Sequence, residues 1–226
     1  MIAWDDYWKT YVTSKAERWM ILERDKIINE YISRIHAKKK KVMEVGCGFG
    51  SNLRLIHLQR KDAICYALDF STRSTLLVRQ EISCVVQSYC RSSPFINQSF
   101  DLIYSAGLME HLEESSFLDE MKRILKGGGI LITFVPARIS LWKLYILLHF
   151  RSWKHGFERS YTYQGLHDLF LKNGWQILDI RGIDPFSVNG FVMKLLNISF
   201  APFLKKSFCK SGYTELCVIS KKWNSF

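Results

Sequence analysis

The chain of 226 residues allows one ordinary α/β domain and leaves no room for two full catalytic domains. Its 48% hydrophobic, 14% aromatic and 23% charged residues can build a buried core, which excludes disordered and collagen-like proteins. The 32 basic and 21 acidic side chains give a formal charge of +11, which predicts attraction to nucleic acid, an acidic membrane face or an anionic substrate.

Predicted strands and helices alternate along the first 136 residues. Apolar residues at helical spacing between residues 4 and 36 predict one or two amphipathic helices. Short apolar runs predict strands at 42–45, 63–68, 84–86, 100–104 and 130–135. Helical spacing predicts helices between them at 53–58, 75–82 and 115–125, the last ending at a helix stop formed by Gly127, Gly128 and Gly129. This alternation favours a doubly wound, mostly parallel α/β sheet covered on both faces.

The pattern continues after an interruption, with a helix predicted at 163–173 and strands at 175–182 and 214–221. We therefore expect a single domain, 1–226. It divides into a helical cap (1–37), a core (38–136), an insertion or lid after strand five (137–164) and C-terminal strands (165–226).

A glycine-rich turn follows the first strand and indicates a nucleoside site. Gly46, Gly48 and Gly50 allow a tight turn and a close approach of the backbone to a ligand. Asp69, nineteen residues after Gly50 at the tip of the second strand, can accept both hydroxyls of a ribose. A tight turn without a ligand is one alternative. A nicotinamide site is another, but its third glycine would fall at Ser51.

Five motifs in order resemble those of class I S-adenosylmethionine-dependent methyltransferases. They are Glu44-Val-Gly-Cys-Gly-Phe-Gly50, Leu68-Asp-Phe-Ser71, Ser99-Phe-Asp-Leu-Ile-Tyr-Ser105, Leu108-Met-Glu-His-Leu112 and Ile124-Leu-Lys-Gly-Gly-Gly-Ile-Leu-Ile132. The resemblance covers about residues 40–136 and is more specific than any single motif. It implies a Rossmann-like sheet of seven strands with the last strand antiparallel, and S-adenosyl-L-methionine as the cofactor. A looser likeness is to type 11 methyltransferases, including the O-methyltransferases of quinone biosynthesis.

The resemblance also implies residue roles at the methionine end of the cofactor. Gly46, Gly48 and Gly50 would contact the methionine portion, Glu44 would support its amino group, and Asp69 would hold the ribose.

At the adenine end, the resemblance implies that Phe70 lies against the base, and that the loop from Ser105 to Leu108 passes under the sulfonium and methyl group. Tyr89 stands where the family usually has an acidic residue for the adenine amino group. Either the Tyr89 hydroxyl or a backbone group near Cys90 would then make that contact.

Methyl transfer from a sulfonium is an in-line displacement that needs alignment and exclusion of water, and no metal. A base helps when the acceptor arrives protonated, and His111 with Glu110 is the candidate by position. The alternative is that these two residues cap or orient the following helix. Weaker candidates are His149, His155, His167, Tyr161 and Tyr163.

The excess positive charge lies in the second part of the chain. Residues 1–136 carry 19 basic and 16 acidic side chains, a net +3, and residues 137–226 carry 13 and 5, a net +8. Residues 137–160 combine five basic side chains with many apolar and aromatic ones. This composition predicts a helix on a membrane surface or a lid over an apolar acceptor, and the alternative is a buried packing helix with solvated ends. The apolar residues of 186–203, followed by Lys205, Lys206 and Lys210, repeat the pattern.

We therefore predict an enzyme, monomeric or homodimeric, that methylates a small lipophilic or aromatic acceptor at oxygen. No proline is followed by proline or cysteine, which disfavours the family's amino-base and cytosine-C5 branches. The basic C-terminal half keeps an RNA methyltransferase open, whereas the run Lys38–Lys41 is more typical of a solvated edge before a strand. A non-catalytic methyltransferase-fold binding module is a third alternative. Six cysteines without a Cys-x-x-Cys pair, no leader and no apolar run of ~20 residues predict a reduced, cytoplasmic chain with at most peripheral membrane contact.

Overall fold

The computed structural model describes Asp5 and residues 15–138, 159–183 and 215–222. The helices in these ranges are α1 Lys15–Ser33, α2 Ser51–Gln59, α3 Thr72–Val78, α4 Glu114–Ile124 and α5 Tyr163–Lys172, with a 3-10 turn at Met109–His111. The strands are β1 Lys40–Val45, β2 Ala63–Asp69, β3 Cys84–Gln87, β4 Phe100–Ala106, β5 Leu125–Pro136, β6 Gln176–Ile183 and β7 Glu215–Lys221. Most of the predicted insertion and the first part of the predicted cap lie outside the described residues.

Within the described residues, the strands form one sheet in the order β3-β2-β1-β4-β5-β7-β6. Neighbouring strands from β3 to β5 pair in parallel, whereas β7 pairs antiparallel with both β5 and β6. This confirms the predicted α/β class and the antiparallel last strand. Strand order reverses between β1 and β4. In open α/β sheets ligands bind outside the carboxyl ends of the strands at such a reversal.

Helices cover both faces of the sheet. One core layer contains apolar residues of α4 and α5, among them Phe117 and Phe170, and the other contains those of α1, α2 and α3, among them Ile28 and Leu53. The residues of both layers are buried. Removal of their apolar surface from water is the main contribution to the stability of a sheet of this kind.

Helix α1 is part of the core and not a loose cap. Its residues Ile28, Tyr31 and Ile32 are buried against the sheet. The Asn52 amide of α2 donates to the Ile21 carbonyl at 2.7 Å, which joins the two helices directly. The described part of the predicted N-terminal cap is thus helical, as expected.

The predicted helix stop at Gly127, Gly128 and Gly129 is wrong, because these glycines lie inside β5. Helix α4 ends at Ile124, and Leu125 already pairs with Phe100 of β4. The next pair is Leu102 with Ile130, so one residue of β4 faces a bulge that contains all three glycines.

Helix α3 also begins earlier than the predicted 75–82. The Ser71 hydroxyl accepts from the Ser74 backbone N–H at 3.1 Å, which caps the helix so that it starts at Thr72. Among the described residues, no helix combines the length and apolar character needed to cross a membrane.

The bulge in β5 gives a test of this geometry. Gly128 has a φ of +73°, a conformation that costs an L-residue ~1–2 kcal/mol. We expect Gly128→Ala to lower the free energy of unfolding by about this amount in urea denaturation. Gly127→Ala is the matched control, since Gly127 is exposed and does not have a positive φ. Equal effects of the two substitutions would contradict the assigned bulge.

Candidate functional site

The turn between β1 and α2 depends on glycine. Gly46, Gly48 and Gly50 have φ angles of +68°, +50° and +65°. A Cβ atom at Gly46 would lie 2.9 Å from Cδ2 of Leu108, and one at Gly50 would lie 3.0 Å from Cγ2 of Val78. Helix α2 starts after this turn without a side-chain cap, which leaves N–H groups of its first turn for other acceptors.

Asp69 connects the tip of β2 to this glycine turn. Its Oδ2 accepts from the Gly48 backbone N–H at 2.8 Å, and its Oδ1 accepts from the Ser71 N–H at 2.8 Å. Burial raises the pKa of Asp69, and these two N–H groups oppose that rise. The structure therefore places Asp69 beside the glycines, as predicted. Each of its carboxylate oxygens already accepts a hydrogen bond from a backbone N–H group.

Glu44 is a buried carboxyl group at the end of β1. It is only 4% exposed, and its Oε2 has no hydrogen-bond partner among the described residues. Burial raises the pKa of Glu44 to about 8, although the Tyr104 hydroxyl and the Arg24 guanidinium both act to lower it. A buried acceptor of this kind is costly unless a donor is supplied to it.

Arg24 is a site residue that the sequence analysis missed. Its Nε donates to Oε2 of Glu215 at 3.0 Å, a second bond joins Nη2 to the other carboxylate oxygen, and the guanidinium lies 5.7 Å from the Phe134 ring centroid. Arg24 also interacts electrostatically with Glu44 and Glu110. A signal was present, because Arg24 lies four residues before the buried Ile28 and therefore on the apolar stripe of α1.

The predicted adenine-side residues Phe70 and Tyr89 lie together. Their rings stack with centroids 4.4 Å apart and planes 30° apart. Cys90, the next residue, is half-buried against the α4 and α5 core layer, and burial raises the pKa of its thiol to about 11. These residues follow β2 and β3, on the same edge of the sheet as the glycine turn.

The loop after β4 lies against the glycine turn. Ser105 is fully buried in register with Val45 of β1, and its hydroxyl has no hydrogen-bond partner among the described residues. Leu108, the last residue of the loop, contacts Gly46. The structure thus brings together the end of β1, the tip of β2 and this loop, as the motifs predicted.

The candidate bases Glu110 and His111 lie in the 3-10 turn that follows Leu108. The Glu110 side chain is buried and that of His111 is half-buried. The Glu113 carboxylate caps α4, because it accepts from the N–H groups of Ser115 and Ser116 at the start of that helix. That Glu110 and His111 orient α4 stays a prediction.

Three of the weaker candidates lie among the described residues, and their contacts do not test a role in the reaction. The Tyr161 hydroxyl donates to Glu114 at 3.1 Å, and Tyr163 packs against the core at the start of α5. His167 lies on α5 with its Nδ1 3.2 Å from an Asp168 oxygen. His149 and His155 lie outside the described residues.

Comparison with known proteins identifies the domain. A family model described as a methyltransferase domain matches residues 43–133. A protein of Mycobacterium tuberculosis named as a probable S-adenosylmethionine-dependent methyltransferase is 30% identical over 102 residues, which are 44% of this chain and 36% of that protein. An uncharacterized protein of Methanocaldococcus jannaschii is 34% identical over 135 residues, 56% of each chain. The chain therefore spans between a third and about half of these relatives.

A solved structure shows the same fold over nearly the whole chain. The S-adenosylmethionine-dependent methyltransferase of Archaeoglobus fulgidus aligns with a TM-score of 0.63 at 16% identity, covering 89% of this chain and 94% of that one. S-Adenosylmethionine is the cofactor that the names of these relatives give, and the orphaned Glu44 oxygen and the glycine turn fit such a group. Residues 43–133 are therefore similar to a methyltransferase domain, and the described fold is that of the S-adenosylmethionine-dependent methyltransferases.

Proposed function

We propose that the chain transfers a methyl group from S-adenosylmethionine to a small acceptor. The observation that carries this proposal is the buried Glu44 carboxyl group, whose Oε2 lacks a partner beside three left-handed glycines. The ammonium group of the methionine portion is a donor that would complete Glu44. A turn without a ligand would leave this buried acceptor unsatisfied among the described residues, at a cost in stability.

Asp69 is the proposed ribose ligand. A carboxylate has about four acceptor positions, and the Gly48 and Ser71 N–H groups use two of them. The remaining positions would accept the two ribose hydroxyls. Asp69 would then hold the glycine turn and the cofactor at once, which fixes one relative to the other.

The residues after β4 are proposed to serve the reaction. A bound cofactor would supply a methyl group on a sulfonium. The acceptor oxygen would bond to the methyl carbon as the carbon–sulfur bond breaks, and the electron pair of that bond would remain on sulfur. The loop from Ser105 to Leu108 would exclude water from that position. His111, three residues past Leu108 with the buried Glu110 beside it, is the group proposed to take the proton of the acceptor.

We propose a lipophilic or aromatic acceptor methylated at oxygen. The described residues on either side of the basic, aromatic segment 139–158 pair with each other at this edge of the sheet. Tyr161 N–H donates to the Pro136 carbonyl at 2.9 Å, and Arg138 N–H donates to the Tyr161 carbonyl at 2.7 Å. The Arg159 backbone N–H also donates to the Glu110 carbonyl at 3.3 Å. This supports a role for the segment in binding the acceptor or an anionic membrane surface.

The run Lys38–Lys41 gives little support to an RNA acceptor. It lies at the amino end of β1, on the edge of the sheet opposite the glycine turn. Lys40 donates to an Asp62 carboxylate oxygen at 2.7 Å, and Lys39 donates to the Lys61 carbonyl at 2.8 Å. These lysines therefore stabilise the start of the strand.

Asp69 is the first residue to test. We expect Asp69→Ala to weaken binding of S-adenosylmethionine by about 10- to 100-fold in calorimetry, since hydrogen bonds to a charged acceptor are worth ~1.5–3 kcal/mol. Asp119→Ala removes an exposed aspartate of α4 and should leave binding unchanged. Failure of the unsubstituted protein to bind would refute the proposed function.

The raised pKa of Glu44 predicts that the stability of the protein depends on pH. Because its pKa is raised from 4.5 to about 8 in the folded state, the folded protein holds a proton that the unfolded chain has lost between these values. The free energy of unfolding should therefore fall between pH 4.5 and 8, by up to ~1.4 kcal/mol per pH unit from this group. Glu44→Gln should remove this slope in urea denaturation at pH 5 to 8. The exposed control Glu81→Gln should retain the slope, and parallel profiles for the two variants would refute the burial of an ionisable Glu44.

The acceptor class can be tested with the methyl-tritiated cofactor. Alkyl-substituted phenols and total RNA are offered separately at the same salt concentration, with Asp69→Ala as the matched control. We expect label in the extracted phenol ethers and none in precipitated RNA. Label in RNA that disappears with Asp69→Ala would replace the small acceptor by a nucleic acid while retaining the methyl transfer.

A further inference from the structure

The two edges of the sheet differ in charge among the described residues. The edge at which the parallel strands begin, called here the amino edge, also contains the end of β7, because β7 runs in the opposite direction. Its segments carry thirteen basic and four acidic side chains, in residues 36–41, 58–64, 79–83, 96–101, 120–129, 171–176 and 221–222. The segments of the opposite, carboxyl edge carry three basic and six acidic ones, in residues 44–50, 69–71, 87–93, 106–114, 136–138, 159–162 and 215.

Backbone hydrogen bonds hold the segments of the amino edge side by side. The Lys40 N–H donates to the Asp62 carbonyl at 2.9 Å, which joins the starts of β1 and β2. The Lys222 N–H donates to the Gly129 carbonyl at 3.0 Å, which joins the end of β7 to the start of β5. Seven strands at a spacing of ~4.8 Å give this edge a length of roughly 30 Å.

Most lysines of the amino edge have no carboxylate partner among the described residues. Lys40 pairs with Asp62 and Lys126 pairs with Asp101. The other lysines of this edge form no ion pair with a described residue, namely Lys38, Lys39, Lys41, Lys61, Lys122, Lys172, Lys221 and Lys222. Burial and the charge of Lys122 lower the pKa of Lys222, so positive groups are crowded here. Such crowding favours contact with an anionic surface.

The same edge exposes aliphatic side chains. Leu58 is 66% exposed, Ile96 is 81% exposed and Leu171 is 50% exposed. The large exposed aromatic side chains of the described residues, Phe70 and Tyr89, belong to the carboxyl edge. Aliphatic side chains can enter the apolar part of a bilayer, whereas single-stranded nucleic acid is bound by aromatic rings on which bases stack. Lysine also suits a layer of headgroups, while arginine suits bidentate contact with one phosphate.

The rest of the chain contains too few acidic side chains to neutralise the amino edge. Outside the described residues these are Asp6, Glu158 and Asp184. Even if all three lay at the amino edge, its thirteen basic side chains would leave it with a net positive charge.

We propose that the amino edge is the surface with which the protein docks on an anionic lipid membrane. The lysines would lie against the headgroups, and the exposed aliphatic side chains would enter the interface. A strand of six or seven residues is ~20 Å long, so a membrane at the amino edge leaves the carboxyl edge in water. The segment 139–158, whose described neighbours lie at the carboxyl edge, is then left for the acceptor. This docking does not depend on methyl transfer.

The test measures binding of the full chain to sedimented vesicles at one salt concentration. The vesicles contain phosphatidylcholine alone, or phosphatidylcholine with about a third phosphatidylserine. The unsubstituted protein should bind the anionic vesicles at least about 100-fold more tightly than the neutral ones. A variant with Lys38→Gln, Lys61→Gln and Lys172→Gln should bind the anionic vesicles roughly 100-fold more weakly, because each lysine near an anionic membrane contributes about a fivefold factor.

A matched control loses the same charge elsewhere. It carries Lys143→Gln, Lys154→Gln and Lys205→Gln, in segments whose described neighbours lie at the carboxyl edge. This control should bind the anionic vesicles as the unsubstituted protein does. Ile96→Ser should weaken that binding by about threefold or more, since less apolar surface enters the interface. Equal midpoints of urea denaturation show that the variants are folded.

Four results would overturn the inference. They are equal or absent binding to the two kinds of vesicle, a loss below tenfold in the variant of the amino edge, an equal loss in the control, and unchanged binding in Ile96→Ser. Single-stranded RNA is offered at the same salt concentration. Tighter binding of RNA than of anionic vesicles would assign the edge to nucleic acid and overturn the membrane. Failure to bind S-adenosylmethionine would refute the proposed function and leave the vesicle result as it stands.

Discussion

The parallel pairing of β1 with β2 and with β4 is the constraint on which the candidate site depends. Val45 is in register with Leu68 on one side and with Ser105 on the other. Because parallel strands end at a common edge, the residues that follow these three positions are brought together. The glycine turn, Asp69 and the loop before Leu108 therefore converge, although they come from separate stretches of the chain.

The elements of the core and the position of the turn could be predicted from the sequence, because short apolar runs and glycine spacing are local signals. The three glycines of β5 show where local signals fail. A glycine run indicates either the end of a helix or a bulge, and here the pairing of Phe100 with Leu125 decides between them. The position of Arg24 on the apolar stripe of α1 is a local signal, but its ion pair is not. Its partner Glu215 lies 191 residues away in the chain, so the pair could not be predicted from the sequence. At Tyr89 the sequence marked an unusual residue, but its stacking on Phe70 is a tertiary contact.

The charge of the described site differs in sign from the total charge of the chain. The whole sequence carries +11, yet the described residues place the acidic groups Glu44, Glu110 and Glu215 around the guanidinium of Arg24. Burial raises the pKa of both Glu44 and Asp69, so the site holds carboxyl groups at a cost in stability. A ligand with cationic groups is compatible with this edge. Most of the basic surplus of the sequence, +8 of +11, belongs to residues 137–226 and not to the segment that contains these motifs.

The ion pair between Arg24 and Glu215 joins two elements that lie outside the region of the motifs. The part of the chain that folds cooperatively is therefore larger than that region. The segment that matches the family model, 43–133, contains neither residue. A fragment with those bounds would lose α1 from the face that it covers together with α2 and α3, and β7, which pairs with β5. The first described helix and the last described strand therefore depend on one another, since loss of Arg24 would leave the buried Glu215 carboxylate without its guanidinium.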